Sequence, residues 1–289
     1  MAATPKEGTA GADTVSPALE LEDLEVQLLL EAVFRRYGFD FREYAPASLR
    51  RRLWRRVHAE REQTISGLTE KLLHEPQSME RLLLDLSINV TAMFRDPGFY
   101  VSFREKVVPL LRTYPFTRIW VAGCSSGEEV YSLAILLQEE GLYERARIYA
   151  TDINESVLEQ AKTGVFPLEK MREYTQNYIR AGGKQAFSEY YIAAYDGAQF
   201  QRSLTENVVF AQHNLVSDSS FNEFQVIVCR NVMIYFDRSL QNRVHRLFYE
   251  SLAHLGVLGL GQKETIHFTP FEEYYEELDP HEKLYRKTE

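Results

Sequence analysis

Apolar residues recur at helical spacing from the first part of the chain that carries any pattern. Positions 21, 24 and 28 make one stripe, positions 26, 29, 30 and 33 make another, and Gly38 supplies a stop, so a helix is predicted from Leu21 onward. A second helix follows Pro46, with Leu49, Leu53 and Val57 on one face and arginines over the rest; shorter helical patterns occupy about 64–74 and 78–87. Residues 18–90 therefore read as a small all-helical domain. Residues 1–17 are rich in Ala, Gly, Thr, Ser and Pro without periodicity and read as a flexible tail, while 91–108, around Asp96-Pro97-Gly98, read as hinge and linker.

Over 109–289 the pattern changes to strands and helices in alternation. The β-rich runs are Thr117 to Ala122, Arg147 to Thr151, Asn207 to Ala211, Phe224 to Val228 and Val257 to Leu260. Helical patterns run from Gly127 to Glu140, Asn154 to Lys162 and Arg238 to Ala253. That order predicts an α/β domain with a doubly wound, mostly parallel sheet. Tyrosine-rich alternation on either side of Asp196-Gly197 predicts a small antiparallel β insertion at about 183–206.

Composition narrows the class without deciding the chemistry. The 289 residues are 45% hydrophobic, enough for a buried core, and carry a net charge of −9. No apolar run approaches the roughly 20 residues of a membrane span, and the first ten residues lack an apolar signal core, so a cytoplasmic protein with no membrane insertion is expected. Two cysteines, Cys124 and Cys229, cannot build a disulfide framework, and seven scattered histidines offer no metal-binding spacing, so no metal is expected. Charge is uneven: from Phe34 to Glu62 there are nine arginines against four acids. One basic segment on an acidic protein points to an acidic protein partner rather than nucleic acid. The stretch from Phe271 to Glu289, with seven acids and three bases, reads as solvated surface.

The candidate site begins at Gly123-Cys124-Ser125-Ser126-Gly127, between the first strand and its helix, where backbone can approach a ligand closely. Asp152, ending the second strand, is placed to accept hydrogen bonds from the two hydroxyls of a ribose. Glu128 and Glu129 follow the loop directly and would repel a pyrophosphate. A cationic nucleoside fits better, and S-adenosylmethionine has the ribose, the adenine, a sulfonium and an ammonium group but no phosphate.

Five ordered strings, SINVTAMFRD (87–96), AGCSSGEEVYSLA (122–134), YATDI (149–153), HNL (213–215) and CRNVMIYF (229–236), resemble the chemotaxis protein methyltransferases, the CheR family. The resemblance covers about residues 20–289. It implies a Rossmann-like S-adenosylmethionine-dependent methyltransferase that esterifies glutamate side chains on the cytoplasmic helical domain of chemoreceptors, releasing S-adenosylhomocysteine. It further implies that Asn89, Thr91 and Arg95 face the cofactor and the incoming carboxylate. Gly123 lies in the cofactor loop, Glu129 holds the methionine-end ammonium and Asp152 the ribose, and Asn214 and Leu215 flank the adenine. Arg230 and Asn231 sit beside the cofactor, and Tyr235 shapes the methyl-transfer site, with Arg95 and Tyr235 as the catalytic pair. Because a glutamate carboxylate is ionised at neutral pH, no catalytic base is expected.

Arg50, Arg51, Arg52, Arg55 and Arg56 have two readings, as solvated faces of a buried helix or as cations docking on the acidic receptor surface. The chain departs from the family's Pro-Gly-Gly turn at His254-Leu255-Gly256, where Gly256 is expected to supply the positive φ. The family's usual Phe is Met93 in the hinge motif. Ala181-Gly182-Gly183 does not match the loop expected where the insertion grips a receptor tail, so no tether is expected. A monomer is expected. Two alternatives stay open: a cofactor-binding scaffold without turnover, or a methyltransferase acting on another carboxylate.

Overall fold

The computed structural model describes residues 17–86, 91–194 and 197–288. Among the described residues four helices come first: α1 (Pro17–Tyr37), α2 (Pro46–Ala59), α3 (Ile65–His74) and α4 (Pro76–Leu86). Gly38 ends α1 with φ +79°, Pro46 opens α2, and Thr64 caps α3 by accepting from Gly67 N at 3.0 Å. Val26, Leu29, Leu30 and Val33 of α1 pack with Leu49, Leu53 and Val57 of α2 and with the apolar faces of α3 and α4. Of the two stripes expected on α1 only this one is buried; Leu21, Leu24 and Leu28 face solvent. Asn89 lies outside the described residues.

Residues expected as hinge and linker are instead part of the larger core. Pro97–Ser102 (α5) runs on through a π turn at Phe103–Val107 into Val108–Leu111 (α6), and buries Phe99, Tyr100, Phe103, Val107, Val108 and Leu111. The polarity of Arg95-Asp96 and the Pro-Gly pair mask this, because the apolar positions that follow are spaced for an irregular helix rather than a straight one.

The main sheet has seven strands in the order β6-β2-β1-β7-β8-β10-β9. They are β1 (Thr117–Ala122), β2 (Ala146–Asp152), β6 (Val208–Gln212), β7 (Phe224–Cys229), β8 (Leu252–Leu260), β9 (Tyr275–Asp279) and β10 (Leu284–Lys287). β6, β2, β1, β7 and β8 are parallel, crossing over through α7 (Glu128–Glu139), α8 (Glu155–Thr163) and α10 (Arg238–Ser251) among other segments. The order reverses between β1 and β7, which places a ligand crevice at their carboxyl ends. The C-terminal residues correct the expectation of a solvated surface: β10 pairs antiparallel with β8, β9 covers its far side, and Leu284 and Tyr285 are fully buried. Acids there fall in adjacent pairs, Glu272-Glu273 and Glu276-Glu277, and so break the alternation that would mark a strand.

The insertion forms a second sheet, β3-β5-β4, from Val165–Phe166, Gly197–Phe200 and Tyr191–Ala194. β4 and β5 are the expected antiparallel pair. β3 was not expected, because two residues are too few for a period. The insertion is fixed to α7 through Glu139, whose buried carboxylate accepts from Arg104, Tyr178 Oη, Tyr190 Oη at 3.0 Å and Lys184 N at 2.9 Å. At the departure from the family turn, Leu255 rather than Gly256 takes the positive φ, +61°. Gly256 serves close packing instead: a Cβ there would lie 2.8 Å from Ala253 O.

The helical unit is joined to the sheet by backbone. Ala45 N donates to Tyr235 O at 2.9 Å and Asp237 N to Glu43 O at 2.9 Å, while Tyr44 and Phe236 pack ring to ring at 5.0 Å. The cleft between the two units is thereby set in position.

Candidate active site

Three loops at the carboxyl ends of the parallel strands converge on that cleft. The loop after β1 is drawn to the end of β2 because Gly123 N and Cys124 N both donate to Thr151 O, at 2.8 and 2.9 Å. Gly123 has φ +75°, and a Cβ there would lie 2.4 Å from Val232 Cγ2, so only glycine lets the loops after β1 and β7 approach this closely. Asp152 accepts from Ser125 N at 2.9 Å through Oδ2 and from Asn154 N at 3.0 Å through Oδ1. Burial pushes its carboxyl above the usual range, against the pull of those backbone donors. Each oxygen retains acceptor capacity, which is what a ribose diol needs.

The two acids after the loop part company. Glu129 lines the cleft and accepts from Arg230 Nη1 at 2.8 Å. Glu128 turns into the protein, accepting from Ser126 Oγ at 2.7 Å and Tyr174 Oη at 3.2 Å, and burial raises its pKa. One residue step along a helix rotates the side chain by about 100°, so consecutive residues do not share a face. The electrostatic argument from two acids thus reduces to Glu129.

Arg230, ending β7, holds the site together. Its side chain is 3% exposed, and besides Glu129 it reaches Asp96 Oδ2 at 2.9 Å and Arg95 O at 3.0 Å, with the guanidinium over the Phe99 ring at 4.3 Å. Burial works against the charge, but Glu129, Tyr100 and Asp96 outweigh it and hold the pKa above the ordinary arginine value. Arg230 was expected beside the cofactor; it lines the cleft, and its cation is already committed to two carboxylates. Glu129 and Asp152 line the cleft with Arg230 and Arg95, so its formal charges balance and it is the placement of the two acids that suits a cationic ligand. Arg230→Met is expected to cost about 3 kcal/mol of stability, because Glu129 and Asp96 lose their cation. Thermal unfolding checks this, and a fall of about 5–10 °C in Tm is the expected result.

Asn231 has φ +62°, a conformation held by Glu264. That carboxylate accepts from Asn231 N, Val232 N, Met233 N and Gly261 N at 2.8–2.9 Å. Burial raises its pKa while the four donors oppose the rise. Glu264 had not been expected. The signal was available, since a lone acid just after the apolar run Val257 to Leu260 is poorly placed for solvent, but nothing in spacing alone says which backbone it caps.

Thr91, Arg95, Gly123, Glu129, Asp152, Asn214, Leu215, Arg230, Asn231 and Tyr235 all line this one cleft, joined by Tyr44, Ile153, His213 and Phe236. The cleft opens to solvent, enclosing about 960 Å³ when the space is counted out to open solvent. Asn214 is largely occupied by its own turn, with Oδ1 accepting from Val216 N at 2.9 Å. Cys124 and Cys229 are buried beside the cleft, and burial pushes both thiols well up, which suits packing rather than redox chemistry.

The five arginines of α2 do not form one docking face. Arg52 is buried: Nη1 donates to Leu86 O at 2.5 Å, and the guanidinium lies over the Tyr235 ring at 4.5 Å. Its expected place in a docking surface is corrected, since Arg52 lies three residues after the buried Leu49 and so shares its inward side of the helix. Arg50 pairs with Asp23, and Arg55 and Arg56 both pair with Asp85. Arg51 and Arg55 are the exposed members of the set.

A mostly parallel sheet with the 3-2-1-4-5-7-6 strand sequence, a glycine loop at its switch point, and a buried acid at the end of the second strand facing a cleft at the strands' carboxyl ends define an S-adenosylmethionine-dependent methyltransferase. The chain belongs to the CheR methyltransferase family: residues 89–279 match the family's SAM-binding domain and residues 24–87 its all-alpha domain. It is 49% identical over 269 residues to a Pseudomonas putida protein named "Putative methyltransferase Cher3", covering 92% of this chain and 97% of that one. It is 30% identical over 250 residues to chemotaxis protein methyltransferase 2 of Pseudomonas aeruginosa, covering 83% and 86%. To the chemotaxis protein methyltransferase of Escherichia coli it is 28% identical over 264 residues, covering 86% of each. Among the described residues no helix is long and apolar enough to cross a membrane, and no cluster of three or more His, Cys, Asp or Glu residues could hold a metal ion.

Proposed function

We propose that this chain methylates glutamate carboxylates on the cytoplasmic helical domain of chemoreceptors, giving glutamate methyl esters and S-adenosylhomocysteine, and that it does so in the cytoplasm as a monomer. The observation that carries the reading is that Arg95 and Tyr235 share one cleft with Glu129 and Asp152, between the helical unit and the sheet. Relatives over most of the chain are named chemotaxis protein methyltransferases, which favours a receptor carboxylate over other acceptors.

Bound S-adenosylmethionine supplies a sulfonium methyl that a carboxylate oxygen can attack. Asp152 holds the ribose, Glu129 the ammonium end, and Asn214 and Leu215 flank the adenine, with Thr91 lining the same cleft. Arg95 orients the incoming carboxylate, and Tyr235, braced by Arg52, walls the transfer site and keeps water out. The glutamate arrives ionised, its ordinary pKa being near ~4.3, so no side chain here has to take a proton. Rate comes from alignment: positioning two reactants in line is worth about 7–11 kcal/mol.

Incubation with radiolabelled S-adenosylmethionine and chemoreceptor fragments tests the reading. Base-labile label on receptor glutamates is expected, and cofactor binding without transfer to any receptor fragment would count against it. If Arg51 and Arg55 dock on the acidic receptor surface, transfer should weaken several-fold between low and physiological salt. A rate indifferent to salt removes the docking role.

A further inference from the structure

The turn that delivers Arg95 to the cleft is strained, and side chains from two other elements hold it. Arg95 N donates to Ala92 O at 3.3 Å, closing a turn whose central residues, Met93 and Phe94, are fully buried. Phe94 has φ +51° in a position that turns usually fill with glycine or asparagine when φ is positive. Rotating the central peptide would return Phe94 to negative φ, the conformation an aromatic residue prefers. Both polar groups of that peptide are taken. Phe94 N donates to Ser132 Oγ of α7 at 2.9 Å, and Met93 O accepts from Asn177 Nδ2 at 3.1 Å. Asp96, on the other side of Arg95, has φ +54° as well, and Arg230 holds the Arg95 carbonyl between the two.

Asn177 belongs to α9 (Met171–Arg180), which lies within the inserted unit between β3 and β4. Tyr174 and Tyr178 tie this helix to the two ends of α7: Tyr174 Oη donates to Glu128 Oε1 at 3.2 Å, and Tyr178 Oη donates to Glu139 Oε1. The Tyr178 ring also meets the Phe94 ring edge-on at 5.2 Å. Asn177 is thereby fixed by anchors three residues before it and one after, so it can resist rotation of the Met93–Phe94 peptide rather than follow it. We infer that Asn177 is a positioning residue for Arg95: its hydrogen bond to Met93 O, with Ser132 at the other end of the same peptide, keeps the turn in the strained form that sends Arg95 into the cleft. The inserted unit then takes part in aiming the arginine. The role rests on the reading of Arg95 as the residue that orients the carboxylate, and extends it to what sets the direction of Arg95.

The test compares the full chain with Asn177→Asp, Arg95→Ala and the double variant. Methyl transfer to a chemoreceptor cytoplasmic fragment gives kcat, and calorimetry gives S-adenosylhomocysteine affinity. Aspartate keeps the size of asparagine but sets an oxygen against Met93 O where a donor is needed. In Asn177→Asp, kcat should fall about 10–100-fold, with S-adenosylhomocysteine affinity within about threefold of the unaltered chain. In the Arg95→Ala background the same substitution should change kcat by no more than about twofold, because the group it aims is gone. A residue that only packs α9 would tolerate the isosteric change, or would lower kcat by the same factor in both backgrounds, and either result overturns the inference. Should Asn177→Asp fail to fold, Asn177→Ala, which removes the donor without adding a charge, is put through the same two backgrounds. Full turnover in Arg95→Ala, or no transfer to the fragment by the unaltered chain, sinks the functional reading and this role with it. A deficient Arg95→Ala beside a fully active Asn177→Asp sinks this role alone.

Discussion

Asp152→Ala is expected to weaken S-adenosylhomocysteine binding about a thousandfold. Hydrogen bonds from two ribose hydroxyls to one carboxylate are charge-assisted, and each is worth about 1.5–3 kcal/mol. The same substitution removes the acceptor of Ser125 N and Asn154 N, so the loop after β1 keeps only its Gly123 and Cys124 ties to Thr151 O, and Asn154 loses a restraint at the start of α8. Isothermal calorimetry measures the loss; a variant that binds within a few-fold of the unaltered chain would remove Asp152 from the ribose site. A pH series separates ligand contact from scaffold. Burial places the Asp152 pKa above the ordinary carboxylate value, so ligand affinity should fall as pH drops through that raised value, earlier than for an exposed acid. The stability of the ligand-free protein should respond to this group with the opposite sign. A group whose pKa is higher folded than unfolded takes up its proton more readily in the folded state, so acidification through that interval favours folding. Affinity that falls with pH where unliganded stability does not is the expected pair of results.

Arg95→Ala is expected to lower turnover about a thousandfold while changing S-adenosylhomocysteine affinity far less. The reaction needs no proton transfer, so the protein's leverage lies in holding the carboxylate in line with the methyl, and loss of a positioning group typically costs a hundredfold or more. Arg95 reaches the cleft from a segment fixed at both ends: Arg230 Nη2 holds its carbonyl at 3.0 Å, and Phe94 N donates to Ser132 Oγ at 2.9 Å. Phe94 itself has φ +51° and is fully buried, which pins the direction in which the next residue leaves the backbone. Single-turnover kinetics with preloaded cofactor would separate the chemical step from binding. Arg95→Lys should recover little, since an ammonium cannot present two parallel donors to a carboxylate. Equal losses in turnover and in cofactor affinity would instead make Arg95 a cofactor residue.

The two predictions differ in how far the sequence supported them. Asp152 was legible as a strand-terminal acid because a strand ends where its period ends, and Gly123 because a strand-to-helix turn needs positive φ. Glu129 was legible as an acid near the cofactor, but not as the partner of Arg230, 101 residues away along the chain. Arg52 looked like its four arginine neighbours until the helix was set against Tyr235, because burial of one face depends on what lies opposite, and nothing within α2 encodes that. Glu264 stayed hidden for the same reason: it is defined by hydrogen bonds to the distant segment from Asn231 to Met233.

By itself the sequence determined the four leading helices, the order of parallel strands and crossovers, and the family, because hydrophobic period, caps and ordered motifs are local properties that survive without knowledge of packing. Tertiary structure alone decided that residues 97–111 belong to the core and that the acidic C-terminal stretch closes the sheet. It also made Arg230, within the cleft lining, a clamp between Glu129 and Asp96, and took Arg52 out of the docking surface. Those outcomes follow from which distant groups share a small volume of low dielectric, where every charge and lone pair must find a partner.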